Sequence, residues 1–109
     1  MLDMLQIYLI FALILYVLGI YTLASARNMV KLVIGLEIMV AAANLNFLAL
    51  AAFTAGPNVL GPIDPTVQTF VILSIIVGGV IAAVAMSLIV NAYRHYGTLD
   101  IRELRRLRG

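Results

Sequence analysis

The chain contains no cysteine and no tryptophan, and it has one histidine. Without cysteine there is no disulfide framework, no thiol chemistry and no iron–sulfur ligation to consider. The lone His95 has no second histidine or cysteine with which to build a metal site. Charge is scarce as well. Only 11% of the 109 residues are Asp, Glu, Lys or Arg, against 64% hydrophobic residues. Soluble domains carry about a quarter charged residues and about half apolar ones. A soluble chain this short could not bury so much apolar surface, so the surrounding solvent is read as lipid. Nucleotide-binding, metalloprotease and serine-triad patterns are also missing, which leaves no catalytic domain to assign. The sequence is therefore read as a chain that is not an enzyme by itself and carries no cofactor.

Three long apolar runs account for most of what is present. They cover about 4–26, 29–54 and 66–93. Each exceeds the ~20 residues that cross a hydrocarbon layer of ~30 Å at 1.5 Å per residue. Lipid admits only helices or closed barrels, and these runs have helical length without strand-like alternation. The expected fold is all-α and integral to the membrane: one membrane domain over 1–109 with three transmembrane helices. The opening "MLDMLQIYLI" has an acidic residue and no basic leader, so it is read as a retained span and not as a signal peptide.

The connections follow from composition. "SARN" at Ser25–Asn28 is a short polar turn, which makes the first two spans antiparallel neighbours. "AGPNVLGPIDPT" holds all three prolines of the chain and must be a loop. Its Asp64 suits an N-cap and Pro65 a first helical position, so the third span is expected to start there. Every basic residue (Arg27, Lys31, Arg94, Arg102, Arg105, Arg106 and Arg108) falls on the turn-and-tail side of a three-span topology. That distribution predicts an outside N-terminus and a cytoplasmic C-terminus, in a multi-pass protein of the cell membrane. In the tail, 94–109, Ile101, Leu104 and Leu107 alternate with arginines. The spacing predicts a short helix on the cytoplasmic membrane face, held by anionic headgroups or by a peripheral subunit.

One acid breaks the pattern. Glu37 sits nine residues past Asn28, about 13 Å into the membrane. Asp3, Asp64, Asp100 and Glu103 all lie at span ends or in loops. A charge at such depth costs roughly 2.5–3.5 kcal/mol on insertion scales, so the carboxyl should face protein or water. A carboxyl that is neutral in dry surroundings and charged when water or a cation arrives is suited to carrying protons. Ala41 and Asn44 share its helical face, at i+4 and i+7. Asn46 lies on another flank, so the second span is expected to have neighbours on two sides. Lys31, Asn44 and Ser74 are candidates for the same pathway or for plain helix packing. Lys31 can also snorkel to the cytoplasmic end. Ser74, Gly78, Ala82 and Ala85 form a small-residue stripe on the third span that suits close packing. Gly78–Gly79 is also a candidate soft point in that helix. The alternative reading of Glu37 is a hydrogen-bonding pin between helices rather than a relay.

The stretch "RNMVKLVIGLEIMVAAANLNFLAL" resembles the second helix of the K chain of NADH-quinone oxidoreductase, respiratory complex I. In that family a "GLEIM"-like motif carries a proton-pathway glutamate, which falls on Glu37. The K chain usually has a further glutamate in its third helix; here the region reads "SIIVGGVIAAVAM", with no acid. The C-terminal half, "DPTVQTFVILSIIVGGVIAAV", resembles the MrpC component of Mrp-type Na⁺/H⁺ antiporters at Asp64, Pro65, Gln68, Val71 and Ile76–Val77. The combination is similar to the equivalent small subunit of archaeal membrane-bound hydrogenases and sulfane-sulfur reductases. The resemblance implies an ion-translocating (H⁺ or Na⁺) small membrane subunit of a redox-driven complex, with Glu37 as a proton-relay carboxyl. It implies partners too: large antiporter-like membrane subunits, other small membrane subunits, a cytoplasmic redox arm and lipid, but no nucleic acid. The other readings are the MrpC component of a stand-alone antiporter and a structural spacer. A small multidrug exporter fits less well, because that class has four spans, and a rotary-ring hairpin has two.

Overall fold

A computed structural model of the chain describes residues 2–97, 100 and 101. Three helices are present among them: α1 (Met4–Ala24), α2 (Met29–Ala52) and α3 (Pro65–Tyr96). All three are long and apolar enough to cross a membrane. The tail helix expected over 101–107 lies outside the described residues beyond Ile101.

The loop between α2 and α3 caps the start of α1. The Met4 N–H donates to Asn58 Oδ1 at 2.9 Å, and the Leu5 N–H donates to the Pro57 carbonyl at 2.9 Å. Asn58 Nδ2 also donates to Asp3 Oδ1 at 3.3 Å, while Gln6 Oε1 accepts from the Asp3 N–H at 3.0 Å. First-turn amides have no partners within their own helix, so this one loop side chain both satisfies α1 and ties it to the loop. Asn58→Ala should therefore lower stability by about 1 kcal/mol, the usual cost of a lost cap. Thermal unfolding of the purified protein in detergent would register it as a lower midpoint.

The other ends obey the same chemistry. Asn28 Oδ1 accepts from the Val30 N–H at 2.8 Å to start α2. Asp64 Oδ1 accepts from the Thr66 N–H at 2.8 Å, with Pro65 as the first helical residue of α3. The span ends differ from the apolar limits of the sequence. α1 stops at Ala24, where the Ser25 hydroxyl turns back onto the Tyr21 carbonyl at 2.8 Å. α2 stops at Ala52, whose carbonyl accepts the Gly61 N–H at 2.9 Å. α3 runs on through Arg94 and His95 and stops only at Gly97, a left-handed residue with φ 69°. Polar side chains do not end that helix; the glycine does. No break interrupts α3 at Gly78–Gly79.

The middle helix, α2, packs on α1 along one face and on α3 along another. Most buried residues of α1 and α2 are small: Ala12 and Gly19 of α1, and Gly35, Ala42, Ala49 and Ala52 of α2; the larger buried side chains are Phe53, Val71 and Ile89. Small residues let the backbones approach, which is how helices gain van der Waals contact when lipid removes the hydrophobic drive between them. Large apolar side chains such as Leu13, Phe70 and Ile81 point outward. Asn46 is half-buried on the stripe of Ala42 and Ala49. The two flanks of α2 thus have their neighbours within the chain, and its two-sided polarity does not by itself argue for a partner. At the turn end, the Ile101 N–H donates to the Arg27 carbonyl at 2.9 Å, and Asp100 bridges to Asn28. Turn and tail are therefore at the same end of the molecule.

Candidate functional site

Gly35 and Glu37 are two positions apart, which on an α-helix is about 200° of rotation. Because Gly35 is pressed against Leu23 of α1, Glu37 is turned to the opposite side, toward α3. There it lines a groove of about 350 Å³ between α2 and α3, with Ala41 and Asn44 from its own helix and Ser74 and Gly78 from α3. The i, i+4, i+7 face read from the sequence is the wall of this groove. Ser74 is brought to it from the other helix. Lys31 is not: it is half-buried nearer the start of α2 and does not line the groove.

The carboxyl rests over Gly78. A β-carbon built on that glycine would stand 3.6 Å from Glu37 Oε1 and 3.8 Å from Val40 Cγ1. Periodicity places Gly78 in a packing stripe but gives no sign that it seats the acid, and its pairing with Gly79 does not tell which of the two faces α2. Gly79 faces open space. Gly78→Ala should be tolerated, since 3.6 Å is ordinary contact. Gly78→Ile should push the carboxyl aside and lower the stability of the α2–α3 pair. Thermal unfolding of the purified protein in detergent checks both.

Glu37 is exposed at the lip of the groove, while Asn44 and Ser74 are half-buried. None of the three side chains makes a hydrogen bond or ion pair among the described residues. A carboxyl, an amide and a hydroxyl converge here with their hydrogen-bonding capacity unspent. A water needs roughly 10–15 Å³ of probe volume and two to four polar partners, so the groove has room for several waters or for an inserted side chain. No group of three or more His, Cys, Asp or Glu able to hold a metal exists among the described residues.

Comparison with known proteins decides the family. The family described as NADH-ubiquinone/plastoquinone oxidoreductase chain 4L matches residues 7–109. The chain belongs to this family. Subunit 4L of the NAD(P)H-quinone oxidoreductase of Synechococcus sp. is 34% identical over 104 residues, covering 95% of this chain and 96% of that protein. Subunit K of the NADH-quinone oxidoreductase of Geobacillus sp. is 35% identical over 100 residues, covering 92% and 90%. Among solved structures, a chain of the membrane-bound sulfane sulfur reductase, an archaeal respiratory membrane complex, matches with a TM-score of 0.71 and 30% identity. That match covers 88% of this chain and 94% of the other. The 4L/K-family protein is thus a small multi-pass membrane subunit of the oxidoreductase class, in keeping with the sequence's resemblance to the K chain and to the sulfane-sulfur reductase subunit.

Proposed function

We propose that this 4L/K-family subunit is a non-catalytic part of a redox-driven membrane complex, in which Glu37 relays protons in coupled ion translocation. The observation that carries the reading is the exposed Glu37 carboxyl, at mid-depth in a three-span chain, in a groove with Asn44 and Ser74. An ionisable group at that depth cannot be left to acyl chains. A neighbouring subunit therefore covers the groove, and water or a titratable side chain from that neighbour continues the path. The basic turn with Arg27 and Lys31 supports a cytoplasmic turn and an outside N-terminus. The neighbours in this reading are large antiporter-like membrane subunits and other small membrane subunits, with electron transfer in a cytoplasmic redox arm.

The deciding experiment replaces Glu37 by Gln in the assembled complex and measures ions moved per electron. Loss of transport with normal assembly is expected. Transport at the wild-type rate would remove Glu37 from the path, and normal transport with weakened assembly would make it a structural pin.

A further inference from the structure

A second groove lies on the same pair of helices, nearer the turn-and-tail end. Its volume is about 410 Å³, and it is lined by Val30 of α2 and by Met86, Ile89, Val90, Tyr93 and Arg94 of α3. The α3 residues fall at i, i+3, i+4, i+7 and i+8, one face over two turns. Ile89 closes the floor, being buried, and Met86, Val90 and Tyr93 stand open at the walls. The groove is thus apolar along its length and cationic at one end.

Its depth follows from the helix. Asp64 and Arg94 are 30 positions apart, about 45 Å along α3. A bilayer including its headgroup regions is ~40–45 Å thick. With Asp64 at one headgroup level, Arg94 is at the other, and Met86–Val90 lie in the adjoining acyl layer. Tyr93 is at the boundary, where amphipathic rings settle. The Arg94 guanidinium makes no hydrogen bond or ion pair among the described residues. Arg27 and Lys31 are at the same end of the molecule. The one described carboxylate there, Asp100, bridges through its backbone to Asn28.

We propose that this groove holds an acyl chain of one anionic phospholipid, with the phosphate on Arg94. An arginine fork binds phosphate through paired N–H donors. The apolar walls at acyl depth take the chain, and a basic pocket between membrane helices on the cytoplasmic side favours an anionic headgroup. The site is separate from the Glu37 groove and does not depend on the relay role.

The test uses the assembled complex in nanodiscs made of phosphatidylcholine alone or of equal parts phosphatidylcholine and phosphatidylglycerol. Each carries a trace of the matching lipid with a diazirine on its acyl chain. After photolysis, adducts are mapped by peptide mass spectrometry. Phosphatidylglycerol should label the Met86–Tyr93 segment at least several-fold more than phosphatidylcholine does. Arg94→Gln should lower that labelling about fivefold, the contribution of one basic residue at an anionic surface. Arg94→Lys should restore most of it, and Val90→Trp should abolish it by filling the groove with Arg94 intact. Equal labelling by the two lipids in the wild type overturns the proposal. So does the absence of labelling on this face, the result expected if a protein neighbour covers it.

Discussion

Glu37→Gln is expected to cut coupled ion transport by about a hundredfold or more while leaving the complex assembled. The substitution is informative because it changes so little else. Glutamine has the same length and shape, and its amide still donates and accepts hydrogen bonds. If Glu37 only pins α2 to α3 or to a neighbour, Gln does that nearly as well. What Gln cannot do is take up and release a proton, and a positioned proton-transfer group is worth roughly 10²–10⁴ in rate. Glu37→Asp sharpens the point. It keeps the titrating group but draws it back from its seat over Gly78, where Oε1 now lies 3.6 Å from the position of an added β-carbon. Partial transport in Asp and none in Gln would mark a relay whose reach matters. Asn44→Ala and Ser74→Ala should give smaller losses, because neither side chain can carry charge, and they shape only the polarity of the groove.

The outline of this molecule was readable because lipid imposes a simple rule: apolar runs of sufficient length must be helices. Loop chemistry was legible for the same reason that caps are local. Asp64 and Pro65 start α3 through contacts within two residues. The face holding Glu37, Ala41 and Asn44 was equally legible, since it needs only helical periodicity. What the sequence hid is long-range. Nothing near Asn58 says that its side chain will cap a helix 54 positions earlier. Nor does anything near Gly78 say that a carboxyl will lie over it. The exposed position of Glu37 was hidden too; it depends on α3 leaning on α2 without closing the groove. The neighbours expected on two sides of α2 are α1 and α3.

Gly19→Val should have the largest effect on stability of any single change away from the groove. Gly19 and Gly35 are the only glycines of α1 and α2, and both are buried where those helices meet. A β-carbon at Gly19 would fall 2.5 Å from Met39 Cγ and 3.3 Å from the Gly35 carbonyl oxygen and the Met39 nitrogen. Met39 Cγ is one bond from Cβ and moves only by a change of χ1, and the backbone atoms cannot move without the helix. At Gly35 the added carbon would meet Leu23 Cγ at 3.0 Å and its nitrogen at 3.2 Å. Overpacking of this kind costs about 1–3 kcal/mol. Alanine recovers up to ~1 kcal/mol by favouring helix over glycine, whereas branched valine recovers less and intrudes further. Gly19→Val is therefore expected to lower the thermal midpoint in detergent and the yield of assembled complex. Adding Met39→Ala should restore part of both, since it removes the closest clashing atom. Gly79→Ala is the control: no atom lies within 4 Å of its added carbon, so this chain should gain slightly from it. Because the Gly19–Gly35 contact sets the rotation of α2, Gly19→Val should also reduce ion transport per assembled complex with Glu37 untouched. If Gly19→Val and Gly79→Ala proved equally harmless, close approach of α1 and α2 would not be what aims the carboxyl at α3.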